Sequence, residues 1–304
     1  MSCDNLAELN NRFGIAGHLS FQKGPGGLAM VEISNSKASA NLFLQGAHLA
    51  RWTPRRQQPV IWLSPKTQFS VGKPIRGGVP VCWPWFASHP DGLDFPFHGH
   101  ARITDWEVAE TAELDDGATY LVLRLPPSEA TRAVWPHATP VEIRLTVGLT
   151  LEIELATQNL DSQAVVLGQA LHSYFRVGDV RLVKIHGLEN CAYIDKLANG
   201  ERKQQNGPLS LDGETDRVYL NSSQECLIED PVLSRRIHIN KRGSNSTVIW
   251  NPWSEKASKT ADLGPDSYLN MVCVESANAA DDVVTLVPGA KHSLWVKYTV
   301  EEVD

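Results

Sequence analysis

Hydrophobic and polar residues alternate along residues 141–155, which read VEIRLTVGLTLEIEL. Every second position from Val141 to Leu155 carries Val, Ile or Leu, and the positions between them are polar apart from Gly148. A repeat of two residues predicts β-strands with one buried face. A single strand of this length would exceed the usual length of about 3–10 residues, so Gly148 predicts a bend or hairpin between two strands.

The same alternation predicts strands in three other parts of the chain. It involves Leu121, Leu123 and Leu125, then Ile237 and Ile239, and finally the apolar residues at 294, 296, 298 and 300. Helical periodicity is poor, because Pro and Gly interrupt the chain at short intervals. Many short strands separated by turns predict an all-β fold built as a large antiparallel β-sandwich.

No internal repeat, low-complexity tract or linker divides the chain. We therefore predict one domain over residues 1–304. About the first dozen residues and the C-terminal VEEVD are expected to be loose ends of this domain.

Composition and charge exclude several classes of function. Lys and Arg total 28 against 35 Asp and Glu, and the resulting net charge of -7 offers no basic field for nucleic acid or an anionic membrane. Five cysteines without CxxC spacing favour a reducing compartment over disulfides or a zinc knuckle. No leader pattern is visible, and no apolar run approaches the roughly 20 residues of a membrane span. We therefore expect a cytoplasmic protein, in which a few locally placed cations would have to meet any anionic ligand.

The segment KPIRGGVPVCWPWF, residues 73–86, combines one arginine with the composition of a rigid concave surface. Arg76 precedes two glycines, which allow the backbone to approach a ligand closely. Trp83 and Trp85 are candidates for a pocket wall. The alternative is a turn followed by a buried strand, with one surface arginine.

The segment FPFHGHARITDW, residues 95–106, has two alternative interpretations. His98 and His100 are two residues apart and would share one face of a strand, which is a spacing of metal ligands in cupin-like enzymes. Glu107 lies too far along for the usual carboxylate of such a site. Arg102 instead suits a second cation in one pocket, where it could hold an anion through two hydrogen bonds.

Two further titratable residues stand in apolar surroundings. His172 lies in QALHSYFR, where a structural histidine is an alternative to a catalytic one. Glu275 closes the apolar run from Met271 to Val274, and a carboxylate there is costly to bury without partners. It could also be an exposed acid at a strand end. No Walker, Rossmann or GxSxG motif is present.

Seven short motifs in succession resemble those of hexose-6-phosphate mutarotases, the glucose-6-phosphate 1-epimerases within the aldose 1-epimerase superfamily. The resemblance covers about residues 41–297, and its specificity lies in the order of the motifs. They are GAHLARW (46–52), KPIRGGVPVCWPWF (73–86), HGHAR (98–102), LHSYF (171–175), TDRVYL (215–220), VIWNPW (248–253) and VCVESAN (272–278).

The resemblance implies a galactose-mutarotase-type supersandwich of antiparallel strands and assigns roles by motif. His172 of LHSYF takes the general acid position, Glu275 of VCVESAN takes the general base position, and Asp216 of TDRVYL binds a sugar hydroxyl. The remaining implied pocket residues are His98 and two arginines that face the phosphate, Arg76 and Arg102. Phe97 and His100 depart from residues common in relatives.

Anomer exchange of a pyranose requires one base and one acid, which agrees with the implied roles. The base takes the proton of the C1 hydroxyl while the acid protonates the ring oxygen, so the ring opens and recloses. We expect Glu275 to be ionised and His172 to be held protonated by carboxylates such as Asp216, with the pair flanking the sugar ring. No cofactor or metal is needed.

The sequence analysis leads to one main hypothesis and three alternatives. The main hypothesis is a cofactor-free epimerase whose partner is a small sugar phosphate, with the oligomeric state open and compatible with a monomer. The alternatives are an aldose 1-epimerase for free sugars, a non-catalytic carbohydrate-binding sandwich, and a metal-dependent enzyme using His98 and His100. Trp83, Trp85 and Trp253 are candidates for stacking on a pyranose or for the core.

Overall fold

Short strands account for most of the regular structure, as the two-residue alternation predicts. The computed structural model describes residues 3–89, 91–92 and 94–303. Its helices are α1 (Cys3–Phe13), α2 (Glu129–Val134) and α3 (Trp253–Lys259). The strands are, in chain order, β1 (Leu19–Lys23), β2 (Ala29–Ser34), β3 (Ala38–Phe43), β4 (His48–Pro54), β5 (Val81–Cys82), β6 (Glu107–Glu113), β7 (Thr119–Arg124), β8 (Val141–Val147), β9 (Leu151–Gln158), β10 (Val165–Leu167), β11 (Gln169–Leu171), β12 (Tyr174–Arg176), β13 (Lys184–His186), β14 (Ala192–Asp195), β15 (Glu201–Gln204), β16 (Leu209–Ser210), β17 (Thr215–Leu220), β18 (Cys226–Asp230), β19 (Arg235–Arg242), β20 (Ser246–Asn251), β21 (Met271–Asn278), β22 (Val284–Leu286) and β23 (Lys291–Glu302).

These strands pair in antiparallel fashion and form two large sheets. The larger has the strand order β16-β13-β18-β19-β23-β9-β8-β7-β6. The second has the order β15-β14-β17-β20-β21-β11-β5, with β12 also paired to β21. Strands β1 to β4 form a smaller sheet, and β10 pairs with β22. The all-β antiparallel fold class is confirmed, whereas the single domain over residues 1–304 stays a prediction.

The hairpin predicted around Gly148 is confirmed. Strands β8 and β9 flank this glycine and pair with each other, with Val147 opposite Leu151. Their apolar positions are buried and their polar positions are half-buried, so the alternation in sequence is also an alternation in burial. The strands predicted around residues 121, 237 and 294–300 are present as β7, β19 and β23.

The main hydrophobic core brings together side chains of both large sheets. Ile153 and Leu155 enter it from the larger sheet, while Ile249 and Val274 enter it from the second sheet. Adjacent residues of a strand point to opposite faces. The residues that neighbour Ile249 and Val274 in sequence therefore lie on the other face of the second sheet, away from this core.

The prediction of loose ends is wrong for the described residues. Helix α1 packs Leu6, Leu9 and Phe13 against the core, and the side chain of Asn10 bonds both the N–H and the carbonyl of Phe21. This apolar stripe spans barely two turns, so it is a weak helical signal within a polar segment. At the other end β23 continues to Glu302, whereas Met1, Ser2 and Asp304 lie outside the described residues. Within the described part of the chain, no helix has the length and apolar character that crossing a membrane requires.

Candidate active site

One cavity of about 280 Å³ opens on the outer face of the second sheet. It brings together residues that are far apart in the chain, from Pro74 to Glu275. All six predicted site residues line it: Arg76, His98, Arg102, His172, Asp216 and Glu275. The spatial convergence that the motifs imply is therefore present in the structure.

The central strands of the second sheet place the floor of this cavity. Asp216 on β17 lies opposite Trp250 on β20, and Val248 on β20 lies opposite Glu275 on β21. Paired residues of antiparallel strands share a face, and so do residues two apart in one strand. These four side chains therefore point into the cavity, whereas Ile249 and Val274, which alternate with them along β20 and β21, point into the core.

His172 and Glu275 are in direct contact. The imidazole Nε2 lies 3.4 Å from the Oε1 atom of Glu275, and the side chains are 10 % and 1 % exposed. The His172 ring stacks on Tyr174 with 4.8 Å between centroids and 7° between planes. Within the described residues, the Nδ1 atom of His172 and the Oε2 atom of Glu275 have no hydrogen-bond partner. A buried polar pair in which two atoms lack hydrogen-bond partners is unusual in a core and typical of a functional site.

The charge states of this pair differ from the expectation. Burial, followed by the negative charge of Asp216, raises the pKa of Glu275 well above its usual range. Burial, followed by the positive charges of Arg102 and Arg76, lowers the pKa of His172 to about 3. The prediction that Glu275 is ionised and that Asp216 holds His172 protonated is therefore wrong. Desolvation disfavours both charged forms, and the charges that most affect the imidazole are guanidinium groups rather than carboxylates.

The expectation that the pair flanks a sugar ring is also wrong. A contact of 3.4 Å leaves no space for a ring between the two side chains. Both face the same cavity instead, where they can approach two neighbouring atoms of one ligand from the same side. That arrangement suits an acid and a base that act on atoms bonded to one carbon.

His98 enters the cavity from a loop and not from a strand. Its backbone has a φ of +64°, and its Nδ1 atom accepts a hydrogen bond of 3.0 Å from the N–H of Ala87. Burial lowers the pKa of His98 well below its usual range, so the ring is neutral and carries its proton on Nε2. The ring stands edge-on to His172, with 5.5 Å between centroids. His98 is therefore a neutral donor beside the acid–base pair.

The predicted common face of His98 and His100 is absent. Gly99 between them has a φ of +76°, and a Cβ atom there would lie 2.0 Å from the carbonyl oxygen of Trp83. This close approach turns the chain, so that His100 lines a different cavity of about 610 Å³ together with Trp83 and Trp135. The two imidazoles therefore do not form the two-histidine half of a metal site.

The two arginines of the cavity differ in whether a carboxylate pairs with them. The Nε atom of Arg76 lies 3.2 Å from each carboxylate oxygen of Asp262, and its Nη1 atom lies 3.3 Å from the hydroxyl of Tyr174. Arg102 donates from Nη2 to the carbonyl of Phe97 at 2.7 Å, and its buried Nε atom has no partner. No carboxylate among the described residues pairs with this guanidinium. Arg102 is therefore the cation best placed to receive an external anion.

Sequence reasoning missed two lysines at the edge of the cavity. Lys196 lies above the ring of Phe86 at 5.2 Å, and Lys256 bonds Glu214 at 2.8 Å. Both stand far from the arginines in sequence and belong to ordinary surface segments, one of them a tight turn and the other helix α3. No local pattern marks either one.

The three tryptophans that are candidates for stacking on a sugar or for the core pack away from the cavity. Trp83 packs in the core and donates from Nε1 to Thr157, whereas Trp85 bonds the carbonyl of Pro96. Trp253 packs on Tyr268. None of these three lines the cavity, and the aromatic residues that do include Trp250, Phe86, Phe97 and Tyr174. Trp250 lies in the motif VIWNPW, two residues from Val248 and on the same face of β20.

The family model described as aldose 1-epimerase matches residues 29–299, which is most of the chain. The chain belongs to the aldose 1-epimerase family. This family consists of isomerases, so the expected resemblance and enzyme class are confirmed. The match includes every segment that contributes to the cavity.

Individual relatives agree with the family assignment. A Salmonella typhimurium protein provisionally named glucose-6-phosphate 1-epimerase is 39% identical over 254 residues, covering 83% of this chain and 84% of the relative. The crystal structure of a provisionally named mutarotase from the same organism superposes with a TM-score of 0.87 at 34% identity, covering 94% of each chain. A galactose mutarotase-like protein from Lactobacillus casei shares the fold, with a TM-score of 0.69 at 18% identity over 90% of this chain and 100% of that one.

Proposed function

We propose that this protein is a hexose-6-phosphate 1-epimerase that interconverts the α and β anomers of glucose 6-phosphate and similar sugar phosphates. The observation that carries the proposal is a buried acid–base pair, His172 and Glu275, in one cavity with the unpaired guanidinium of Arg102. The name of the Salmonella typhimurium relative supports the phosphorylated substrate.

The pair supplies the chemistry of ring opening. With the proton of the pair on His172, the carboxylate of Glu275 accepts the proton of the C1 hydroxyl, and His172 donates a proton to the ring oxygen. The C1 carbonyl forms as the bond between C1 and the ring oxygen breaks. Rotation about the C1–C2 bond and the reverse proton transfers give the other anomer. The two reacting oxygens are bonded to the same carbon, which matches two side chains only 3.4 Å apart.

The other residues of the cavity orient the sugar. The neutral ring of His98 offers an Nε2–H donor, and the carboxylate of Asp216 offers an acceptor for a hydroxyl group. Trp250 and Phe97 present apolar surface to the C–H faces of a pyranose. Neither role requires a metal ligand.

The cations hold the phosphate group. Arg102 has donors free for bidentate contact, and Lys196 adds a second charge without an ion pair among the described residues. Arg76 contributes charge while Asp262 fixes its orientation. On a protein of net charge -7, this cluster is a local exception that favours a dianion.

An aldose 1-epimerase for free sugars is the second candidate. The observation that favours it is the pairing of Arg76 with Asp262, which leaves fewer free donors for a phosphate. Relative rates on glucose and glucose 6-phosphate distinguish the two functions.

We expect Arg102→Ala to raise KM for glucose 6-phosphate by about 10- to 100-fold and to cause no comparable loss on glucose. A hydrogen bond to a charged group contributes about 1.5–3 kcal/mol, and each 1.4 kcal/mol is tenfold in affinity. Steady-state kinetics on both sugars measures the effect. Arg181→Ala is the matched control, because Arg181 is an exposed arginine that pairs with Asp179 outside the cavity. Equal losses on both sugars would contradict a phosphate-binding role.

We expect Tyr174→Phe to raise KM for glucose 6-phosphate about two- to tenfold while kcat changes less. The substitution removes the hydroxyl that contacts Arg76 and keeps the aromatic ring on which His172 stacks. A long hydrogen bond between a neutral hydroxyl and a charged guanidinium contributes only modestly to the binding free energy of the substrate. Tyr174→Leu, which also removes the stacking, should lower kcat as well. Identical kinetics for the two variants would show that the stacking does not position His172.

A further inference from the structure

The charges around the acid–base pair are arranged unequally along the cavity. The positive charges with the strongest effect on His172 belong to Arg102 and Arg76. The charge with the strongest effect on Glu275 is the negative one of Asp216, and the positive charges of Lys196 and Arg102 oppose it with smaller effects. Tyr174 connects His172 to the cations, since it stacks on His172 and its hydroxyl accepts a hydrogen bond from Arg76. The imidazole therefore lies on the cationic side of the pair and the carboxyl on the anionic side.

This arrangement places a shared proton on the wrong member of the pair for catalysis. Buried positive charges oppose protonation of the nearby imidazole, and the buried negative charge of Asp216 opposes ionisation of Glu275. The directions of the two pKa shifts agree, lowered for His172 and raised for Glu275. One proton on the pair then lies on Glu275, whereas ring opening needs it on His172.

Building on the proposed function, we propose that the phosphate dianion of the substrate activates catalysis, because it compensates the charge of Arg102, adds negative charge beside the Arg76–Asp262 pair, and thereby transfers the proton of Glu275 to His172. The phosphate is then part of the catalytic machinery and not only a binding group. Sugars without a phosphate bind beside a pair that lacks its acid and its base.

The proposed transfer balances without an additional reactant. The proton leaves Oε1 of Glu275 and joins Nε2 of His172 across the 3.4 Å contact, which shortens as the proton moves. The pair changes from a neutral acid and a neutral imidazole to a carboxylate and an imidazolium, with no proton taken from solvent. Glu275 can then accept the C1 hydroxyl proton while His172 protonates the ring oxygen.

Other groups around His172 do not supply this effect. Lys196 adds positive charge, and His98 and Tyr174 are neutral, since burial lowers the pKa of His98 and raises that of Tyr174. Cys273 on the same sheet face is also neutral, because burial raises its pKa well above its usual range. Asp216 acts mainly on Glu275. Asp262 already pairs with Arg76, whereas no carboxylate among the described residues pairs with Arg102. An external dianion is therefore the source of the negative charge that Arg102 lacks.

The test replaces glucose 6-phosphate by two separate molecules, one for the sugar ring and one for the phosphate group. D-Xylose is a pyranose without the C6 group, and phosphite is a dianion that can occupy the phosphate position. We expect phosphite to raise the protein-catalysed anomer exchange of xylose at least about tenfold, since each pKa unit restored to His172 changes its protonated fraction tenfold. Exchange NMR measures the rate, with sodium chloride at matched ionic strength and protein-free phosphite as controls.

Variants locate the effect. Arg102→Ala should abolish the activation by phosphite, and Arg181→Ala should retain it. No activation of xylose exchange by phosphite in the wild-type protein, together with full turnover of glucose 6-phosphate, would overturn this inference and leave the proposed function intact. No turnover of glucose 6-phosphate would overturn both.

A spectroscopic measurement reports the proton directly. The ¹⁵N chemical shifts of His172, assigned by comparison with His172→Asn, distinguish imidazole from imidazolium. We expect a neutral ring at pH 7 in the protein alone and an imidazolium after addition of 1,5-anhydroglucitol 6-phosphate, which has no anomeric hydroxyl. A ring that stays neutral with this ligand bound would contradict the transfer.

Discussion

Glu275→Gln is expected to lower kcat for anomer exchange of glucose 6-phosphate by about 10²- to 10⁴-fold, the usual contribution of a general base. Glutamine has the same shape as glutamate and cannot accept the proton of the C1 hydroxyl. Glu275 is 1% exposed and lies on β21 at the floor of the cavity, so the substitution changes little besides proton transfer. KM should change much less than kcat, since the loss falls on the transition state.

The measurement is kcat by exchange NMR at saturating glucose 6-phosphate, with thermal melting as the check on folding. Glu255→Gln is the matched control, because Glu255 is an exposed glutamate on α3 whose carboxylate accepts a hydrogen bond from Lys259. A folded Glu275→Gln protein with kcat near that of the wild type would exclude Glu275 as the base.

His172→Asn is expected to lower kcat by a similar factor of about 10²–10⁴, because asparagine cannot donate a proton to the ring oxygen. The backbone N–H of His172 bonds the carbonyl of Pro80 at 3.0 Å, and this bond is independent of the side chain. The variant should therefore keep the loop in place while losing the ring that stacks on Tyr174.

The double variant strengthens this prediction. Residues that act as one unit have strongly non-additive effects, so His172→Asn combined with Glu275→Gln should be about as slow as the slower single variant. His238→Asn is the matched control, since His238 lies on β19 in the other large sheet and faces Glu225 and Glu301. Losses that multiply in the double variant would show that the two side chains act in separate steps.

Strand periodicity predicted much of the scaffold and part of the site. The alternation around Gly148 predicted the β8–β9 hairpin, because a strand with one buried face must repeat every two residues. The same rule places Glu275 on the face opposite Val274, and it could also have identified Trp250 as a cavity residue. Motif order added His172, which follows a strand of only three residues and has no periodicity of its own.

The features that sequence reasoning missed depend on contacts across the fold. Arg76 binds Asp262 across 186 positions, and nothing near either residue indicates this pair. The separation of His98 from His100 depends on a turn at Gly99 packed against the carbonyl of Trp83. Local sequence carries no information about such packing.

The charge states were missed for a related reason. Reference pKa values describe groups in water, whereas His172 and Glu275 are buried and face charges from distant segments. Burial favours the neutral form of both side chains. A prediction of their protonation requires the three-dimensional arrangement of Arg102, Arg76 and Asp216.

The central claim is that His172 and Glu275 together catalyse anomer exchange of a sugar phosphate. The most direct measurement is two-dimensional exchange NMR of glucose 6-phosphate, in which the α-to-β rate is followed against protein concentration. We predict a rate that rises in proportion to wild-type protein and that stays near the protein-free value with either single variant at the same concentration. A protein-free rate with folded wild-type protein, or an undiminished rate in both folded variants, would contradict the claim.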